Sequence, residues 1–321
     1  MPPDHNRRRY RHFSRSAGLI VVLALAGFQG QARASVQSCR TFSEKGVHAS
    51  ALVACSAVIN KNSTRPATLA TALFYRANSR YSTRDTAAAL DDVNRSLDLR
   101  PGFGPALALR AAVRTQTGDA KGAAADLDAA ITSGLDSADL RSRRATLRLS
   151  AGDLDGAAED LSAVVTKTPR DAISHLRLAI VLNELGRNGA ALDAANRAVA
   201  LNRDNADAYG VRAKIKSDSG DLDGALEDFA RAETGAVDGA RYLVGKADIL
   251  ARSKRPAKAL ETIERALAIE PTLRTALLLK ADILQAQGQA DDARKTLDQI
   301  AGTDPALAVR NARLALTSND L

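Results

Sequence analysis

The chain has 321 residues, a formal net charge of +8, two cysteines, no tryptophan and only 3% aromatic residues. Six arginines and one aspartate fall in residues 1–34, so from Ser35 onward 39 basic residues face 36 acidic ones. That near balance, with so few rings to stack on bases, excludes a nucleic-acid footprint.

Residues 1–34 read as an export leader rather than as part of the fold. Arg7, Arg8, Arg9, Arg11 and Arg15 form a positive start, and Ala17 to Phe28 is an apolar run too short to span a bilayer. Ala32-Arg33-Ala34 is an A-x-A cleavage site, which predicts a mature chain beginning at Ser35. The expected location is periplasmic or secreted, with no stable membrane anchor. The arginine run carries a trace of twin-arginine export, but the residues after it fit general secretion better. No cysteine directly follows the apolar run, which argues against a lipoprotein anchor.

Residues 35–69 are expected to form an N-terminal helical cap. Val47, Ala51, Leu52, Cys55, Val58 and Ile59 share one helical face. In an exported chain, a lone close pair such as Cys39 and Cys55 reads as a disulfide. Closing a loop of this size contributes about 3 kcal/mol through the unfolded state. The alternative is a redox or metal role, but the spacing matches neither C-x-x-C nor a zinc pattern.

Residues 70–305 repeat. Alanine recurs at Ala77, Ala111, Ala145, Ala179, Ala213, Ala247, Ala281 and Ala315, always 34 residues apart. A second series, Ala89, Ala123, Ala157, Ala191, Ala225, Ala259 and Ala293, keeps the same step. With Ala70 as repeat position 1, these alanines occupy positions 8 and 20 of seven consecutive units. Position 15 is glycine in five units, with Arg84 and Lys254 the departures. Position 32 is Pro101, Pro169, Pro271 or Pro305 in four units, and position 24 is nearly always large and apolar. Each unit therefore predicts two helices, broken by glycine and stopped near proline. Small residues at 8 and 20 let the helix backbones approach, and the residue at 24 fills the seam.

This pattern resembles the tetratricopeptide repeat family, whose units place small residues at 8 and 20, a bulky one at 24 and proline at 32. The resemblance covers about three quarters of the chain. It implies an all-α, right-handed α-solenoid of seven repeats. Position 4 departs from the family pattern, being Leu73, Leu107, Arg141, His175, Tyr209, Leu243 and Leu277 rather than tryptophan, and position 11 is mostly not aromatic. Ala306 to Thr317 continues the register, so residues 306–321 are expected to be a C-terminal capping helix.

Position 7 carries Arg76, Arg110, Arg144 and Arg212, and position 23 of the same units carries Asp92, Asp126, Asp160 and Asp228. Units without the arginine lack the aspartate, so Arg–Asp pairing between the two helices of one repeat is expected, with bidentate geometry. Lys246 and Lys280 lack this acid and are expected to reach toward solvent.

Chemistry-bearing motifs are absent from the sequence. His48 and His175 have no local partner for metal binding or base catalysis, and there is no phosphate loop and no H-E-x-x-H. Paired acids such as Asp91-Asp92 recur at one repeat position, which marks a solvated face plus the arginine partners. No catalytic, cofactor or metal site is expected.

In the resembled family the first helices line a concave groove. The resemblance places Phe74, Asn78 and Tyr81 there near the start, and Arg143, Arg177 and Asn183 in the middle. Exposed aromatic and arginine residues suit a binding surface. The implied function is an exported, non-enzymatic scaffold for a protein or peptide partner. The alternatives are an envelope assembly factor that contacts peptidoglycan or polysaccharide-export machinery, and a hydrolase on a repeat scaffold. Self-association through the solenoid ends is open.

Overall fold

This computed structural model describes residues 35–61, 64–236 and 239–300. The expected leader over 1–34, its cleavage point after Ala34 and the expected capping helix over 306–321 lie outside the described residues. Sixteen helices and no strand occur among those described. The chain divides into two compact units, Met1–Asp136 and Ser137–Leu321.

The first unit contains α1 (Val36–Glu44), α2 (His48–Ile59), α3 (Pro66–Ser82), α4 (Thr86–Leu99), α5 (Gly104–Gln116) and α6 (Ala120–Thr132). Cys39 and Cys55 form the disulfide that joins α1 to α2. This hairpin obeys the repeat numbering of the units that follow it. Counting back 34 residues puts Ser43 at position 8 and Cys55 at position 20, where the other units have alanine. Its turn comes early, with Gly46 at a φ of 71°, so its first helix is one turn short. Ser43 is buried and knits the hairpin to α3: its hydroxyl donates to the Tyr75 carbonyl at 3.2 Å and accepts from the Asn78 amide at 3.1 Å.

The second unit contains α7 (Ala138–Ser150), α8 (Leu154–Lys167), α9 (Ala172–Glu184), α10 (Asn188–Leu201), α11 (Ala206–Asp218), α12 (Leu222–Gly235), α13 (Ala240–Arg252), α14 (Pro256–Ile269), α15 (Arg274–Ala286) and α16 (Ala290–Leu297). In both units the second helix of every pair from α4 onward starts at repeat position 17. The first helices start at position 1 except α3, which begins four residues earlier at Pro66.

The Gly-Asp turn ends one helix and begins the next. Gly118, Gly152 and Gly220 take positive φ values of 78–88°. The following Asp119, Asp153 and Asp221 then cap the second helix, each accepting from the backbone N–H three residues on. The residue that donates is a glycine at position 19, and a Cβ there would meet the capping carboxylate at 2.1–2.3 Å. Where Ala88 stands instead, the Asp85 cap lengthens to 3.4 Å.

The two alanine series are the packing points. Ala77 and Ala89, Ala145 and Ala157, and Ala247 and Ala259 have no exposed surface, and Val93, Leu161 and Ile263 fill the seam beside them, equally enclosed.

Candidate interaction face

The Arg–Asp pairs lie between the two helices of a repeat and are bidentate. Arg76 donates to Asp92 at 2.8 and 2.7 Å, Arg110 to Asp126 at 2.9 and 2.6 Å, Arg144 to Asp160 at 2.7 and 2.5 Å, and Arg212 to Asp228 at 2.8 and 2.6 Å. All four aspartates are buried. Each also takes a second cation, one helical turn further along the first helix. Arg80, Arg114 and Arg148 donate to the respective carboxylates at 2.8–3.0 Å, and Lys216 lies 2.8 Å from Asp228. The same cation donates to the backbone carbonyl at position 19, as Arg148 does to Gly156 at 2.8 Å.

The position-11 cation was not recognised from the sequence, although it varies together with positions 7 and 23. Three units lack the ion cluster, and one of them has Leu178, Leu182 and Ala194 at these three positions, all buried in one apolar cluster. Burial pushes the Asp228 carboxyl up, but the Arg212 and Lys216 donors outweigh it and hold the group below the ordinary carboxylate range.

Lys246 and Lys280 do not end in solvent alone, as the sequence suggested. Lys246 lies 3.4 Å from Glu233 and Lys280 lies 2.5 Å from Glu264, acids on the second helix of the preceding repeat. Pairing across repeats is invisible to a comparison made within each one. Arg110 and Arg212 make the same kind of link, each donating to an asparagine of the preceding repeat, Asn94 or Asn196, at 3.1 Å.

With the clusters lying between the helices of a repeat, the first-helix faces hold the residues expected to line a groove. In the first unit, Phe74 packs edgewise on Phe103 with centroids 5.2 Å apart and against Tyr75 at 4.9 Å. Asn78 is committed to Ser43. Asn78 therefore helps seat the N-terminal hairpin, Phe74 packs toward the start of α5, and Tyr81 sits half-buried beyond them on the same helix. Positions 2, 5, 9 and 12 of α3 and α5 hold Thr71, Phe74, Asn78, Tyr81, Pro105, Ala108, Ala112 and Thr115, a run without charge.

The second unit differs. Arg143 is exposed and pairs with Asp139 at 3.0 Å within α7. Arg177 of α9 is held by neutral groups: it donates to the Ser142 hydroxyl and the Thr146 hydroxyl of α7, both at 2.7 Å. Beside it on α9, Ile173 is 64% and Ile180 39% exposed. Asn183 donates to Asp218 at 3.0 Å, and Lys214 donates to the same carboxylate at 3.1 Å. Further along, the Tyr242 hydroxyl donates to Asp207 at 2.7 Å at the edge of a cleft of about 480 Å³ that Asp204, Asn205 and Arg241 also line. Burial and then the Asp207 carboxylate push the Tyr242 hydroxyl up to about 12. Gly210 makes room for this ring, since a Cβ there would lie 2.5 Å from it.

The structure thus brings Arg177 together with Ser142, Thr146 and the exposed isoleucines, and leaves Arg143 on the flank in its own helix pair. Ile173 was missed in the sequence because an exposed apolar residue at position 2 breaks no periodic rule. His175 faces the Pro169 carbonyl at 3.2 Å. Among the described residues there is no group of three or more side chains able to hold a metal ion, and no helix is long and apolar enough to cross a membrane.

Family models described as tetratricopeptide repeat match residues 142–206, 211–273 and 250–316. No curated protein sequence matches the chain. Among solved structures, a tetratricopeptide repeat protein from Parabacteroides merdae aligns with a TM-score of 0.58 at 16% identity, over 78% of this chain and 99% of its own. The C-terminal part of a repeat-containing protein from Cytophaga hutchinsonii aligns with a TM-score of 0.58 at 14% identity, over 76% and 98%. Yeast Tom70 aligns at 0.51 and 16% identity, over 100% of this chain and 67% of its own. At these identities the likenesses concern the fold alone.

Proposed function

The chain belongs to the tetratricopeptide repeat family, and on that premise we propose that it is an exported, non-enzymatic scaffold that holds a protein or peptide on the first-helix face of α7 and α9. Repeats of this family mediate protein–protein interaction. The observation that carries the site is Arg177. Its guanidinium is oriented by two hydroxyls, and no carboxylate of the described residues neutralises it. It lies beside the exposed Ile173 and Ile180. A fixed cation next to apolar surface suits a segment that offers an acidic and an aliphatic side chain together.

Export is supported by the arginine-rich start, the apolar run at 17–28 and the A-x-A site, and a disulfide suits an oxidising compartment. N-terminal sequencing of the protein recovered from the cell envelope tests this part. A chain beginning at Ser35 supports it, and an intact Met1 in the cytoplasm overturns it.

The binding site is tested by cross-linking the protein in envelope extract and identifying the bound segment by mass spectrometry, beside an Arg177→Glu variant. Loss of the partner with the variant at unchanged helix content supports the site. Undiminished binding moves the site elsewhere on the repeats.

A further inference from the structure

Four side chains of α9 stand in one row. Ile173, Arg177, Ile180 and Glu184 follow one another at four, three and four residues, a spacing that keeps them on one stripe of a helix. Ile173, Ile180 and Glu184 are exposed and Arg177 is half-buried. The row therefore alternates apolar, positive, apolar and negative groups over about 16 Å. Neither charge is answered by the protein itself. Arg177 uses two of its five N–H donors on the Ser142 and Thr146 hydroxyls, which leaves three for a ligand. Among the described residues Glu184 has no ion-pair partner.

The polar groups beside the row are already committed. The Ser142 and Thr146 hydroxyls accept from Arg177, and the Asn183 amide donates to Asp218 while its own oxygen is buried. An extended segment laid here would bring backbone N–H and C=O groups against isoleucine with no partner, whereas a helix satisfies its own. The pitch agrees. A helix presents about one side chain per turn of about 5.4 Å, which keeps step with the row. A strand presents one every second residue, about 6.7 Å apart, and falls about 4 Å out of step by Glu184.

Resting on the reading that α7 and α9 form the binding face, we propose that the partner segment is an amphipathic helix lying along α9. It carries two aliphatic side chains seven residues apart for Ile173 and Ile180. It also carries an acid for Arg177 and a base for Glu184, again seven apart. The apolar pair supplies contact area, and the two charges set the register. The order of acid and base along the segment sets its direction.

Fluorescence anisotropy of labelled peptides titrated with the purified protein tests this. The probes are alanine-rich helices of about 20 residues with two leucines seven apart. At the charge sites they carry one Glu and one Lys in either order, two Glu, or two Lys. The expected result is tightest binding of a Glu/Lys probe, weakened by salt, with the Lys/Lys probe at least tenfold weaker. Glu184→Lys, at an exposed side chain, is expected to prefer the Glu/Glu probe, and Arg177→Glu the Lys/Lys probe. A further probe holds the same side chains on an extended, proline-rich backbone. Binding of that probe as tightly as the helical ones overturns the helix and leaves the face in place. A protein indifferent to the charge sites, or one that dimerises through Arg177 and Glu184 instead of binding a probe, overturns it too. If no probe binds, the helix falls, and the face falls with it only when the Arg177→Glu variant also keeps its cross-linked partner.

Discussion

Asp92 has no exposed surface, and Arg76 donates to both of its oxygens at 2.8 and 2.7 Å while Arg80 adds a third bond at 2.8 Å. Two cations on one buried carboxylate recur in four repeats, and a neighbouring repeat replaces all three groups with Leu178, Leu182 and Ala194. The chain thus contains both solutions to the same packing problem.

Removing only the acid from such a cluster is expected to be costly. Asp228→Ala strands Arg212 and Lys216 against an apolar seam, for a loss of about 3 kcal/mol, near the low end for buried pairs because both cations keep some solvent. The triple change Arg212→Leu, Lys216→Leu, Asp228→Ala copies the apolar repeat and is expected to recover most of that loss. Urea denaturation midpoints of the two variants and the native protein measure it. A triple variant no more stable than the single one refutes the equivalence.

Acid stability should follow the same carboxylate. The folded-state pKa of Asp228 is depressed, so its contribution is present above the unfolded carboxylate value, about pH 4, and is lost as pH falls through the lower folded value. The native midpoint is expected to change little between pH 7 and about pH 5 and to decline below about pH 4, with a shallower decline in the triple variant. Parallel declines would remove Asp228 from the explanation.

Arg84 and Lys254 occupy the turn position that glycine holds elsewhere, at φ values of 64° and 58°. A left-handed non-glycine residue costs roughly 1–2 kcal/mol, partly offset by the greater unfolded-state freedom of glycine. Arg84→Gly or Lys254→Gly is therefore expected to stabilise the protein by about 0.5–1 kcal/mol. Thermal denaturation shows the sign directly.

Reducing Cys39–Cys55 removes the constraint on a loop of sixteen residues. The expected loss is about 3 kcal/mol, confined to the first unit because α1 and α2 pack on α3. Hydrogen exchange should rise in residues 36–59 and remain unchanged in α13 to α15. Uniform acceleration across both units would mean that the bond stabilises the whole chain.

What could be read from the sequence depended on whether a contact repeats. The alanines at 8 and 20, the glycine turns and the pairing of Arg110 with Asp126 recur at one interval, so comparison of units exposes them. The cation at position 11 recurs as well, but as arginine in three units and lysine in the fourth, so it is a weaker signal than the invariant Arg–Asp pair. The partners of Lys246 and Lys280 escaped because they lie in the preceding repeat.

The sequence by itself determined the helical pairs, their breaks and the Arg–Asp pairs, because each is a short-range contact inside a unit that several units restate. Only the tertiary structure decided which surfaces stay open. Arg177 could be seen in the sequence, but its two hydroxyl partners on α7 could not, and the exposed row on α9 is invisible until its neighbours are placed. Exposure depends on what packs against a helix, and contacts between helices that occur once leave no period to read.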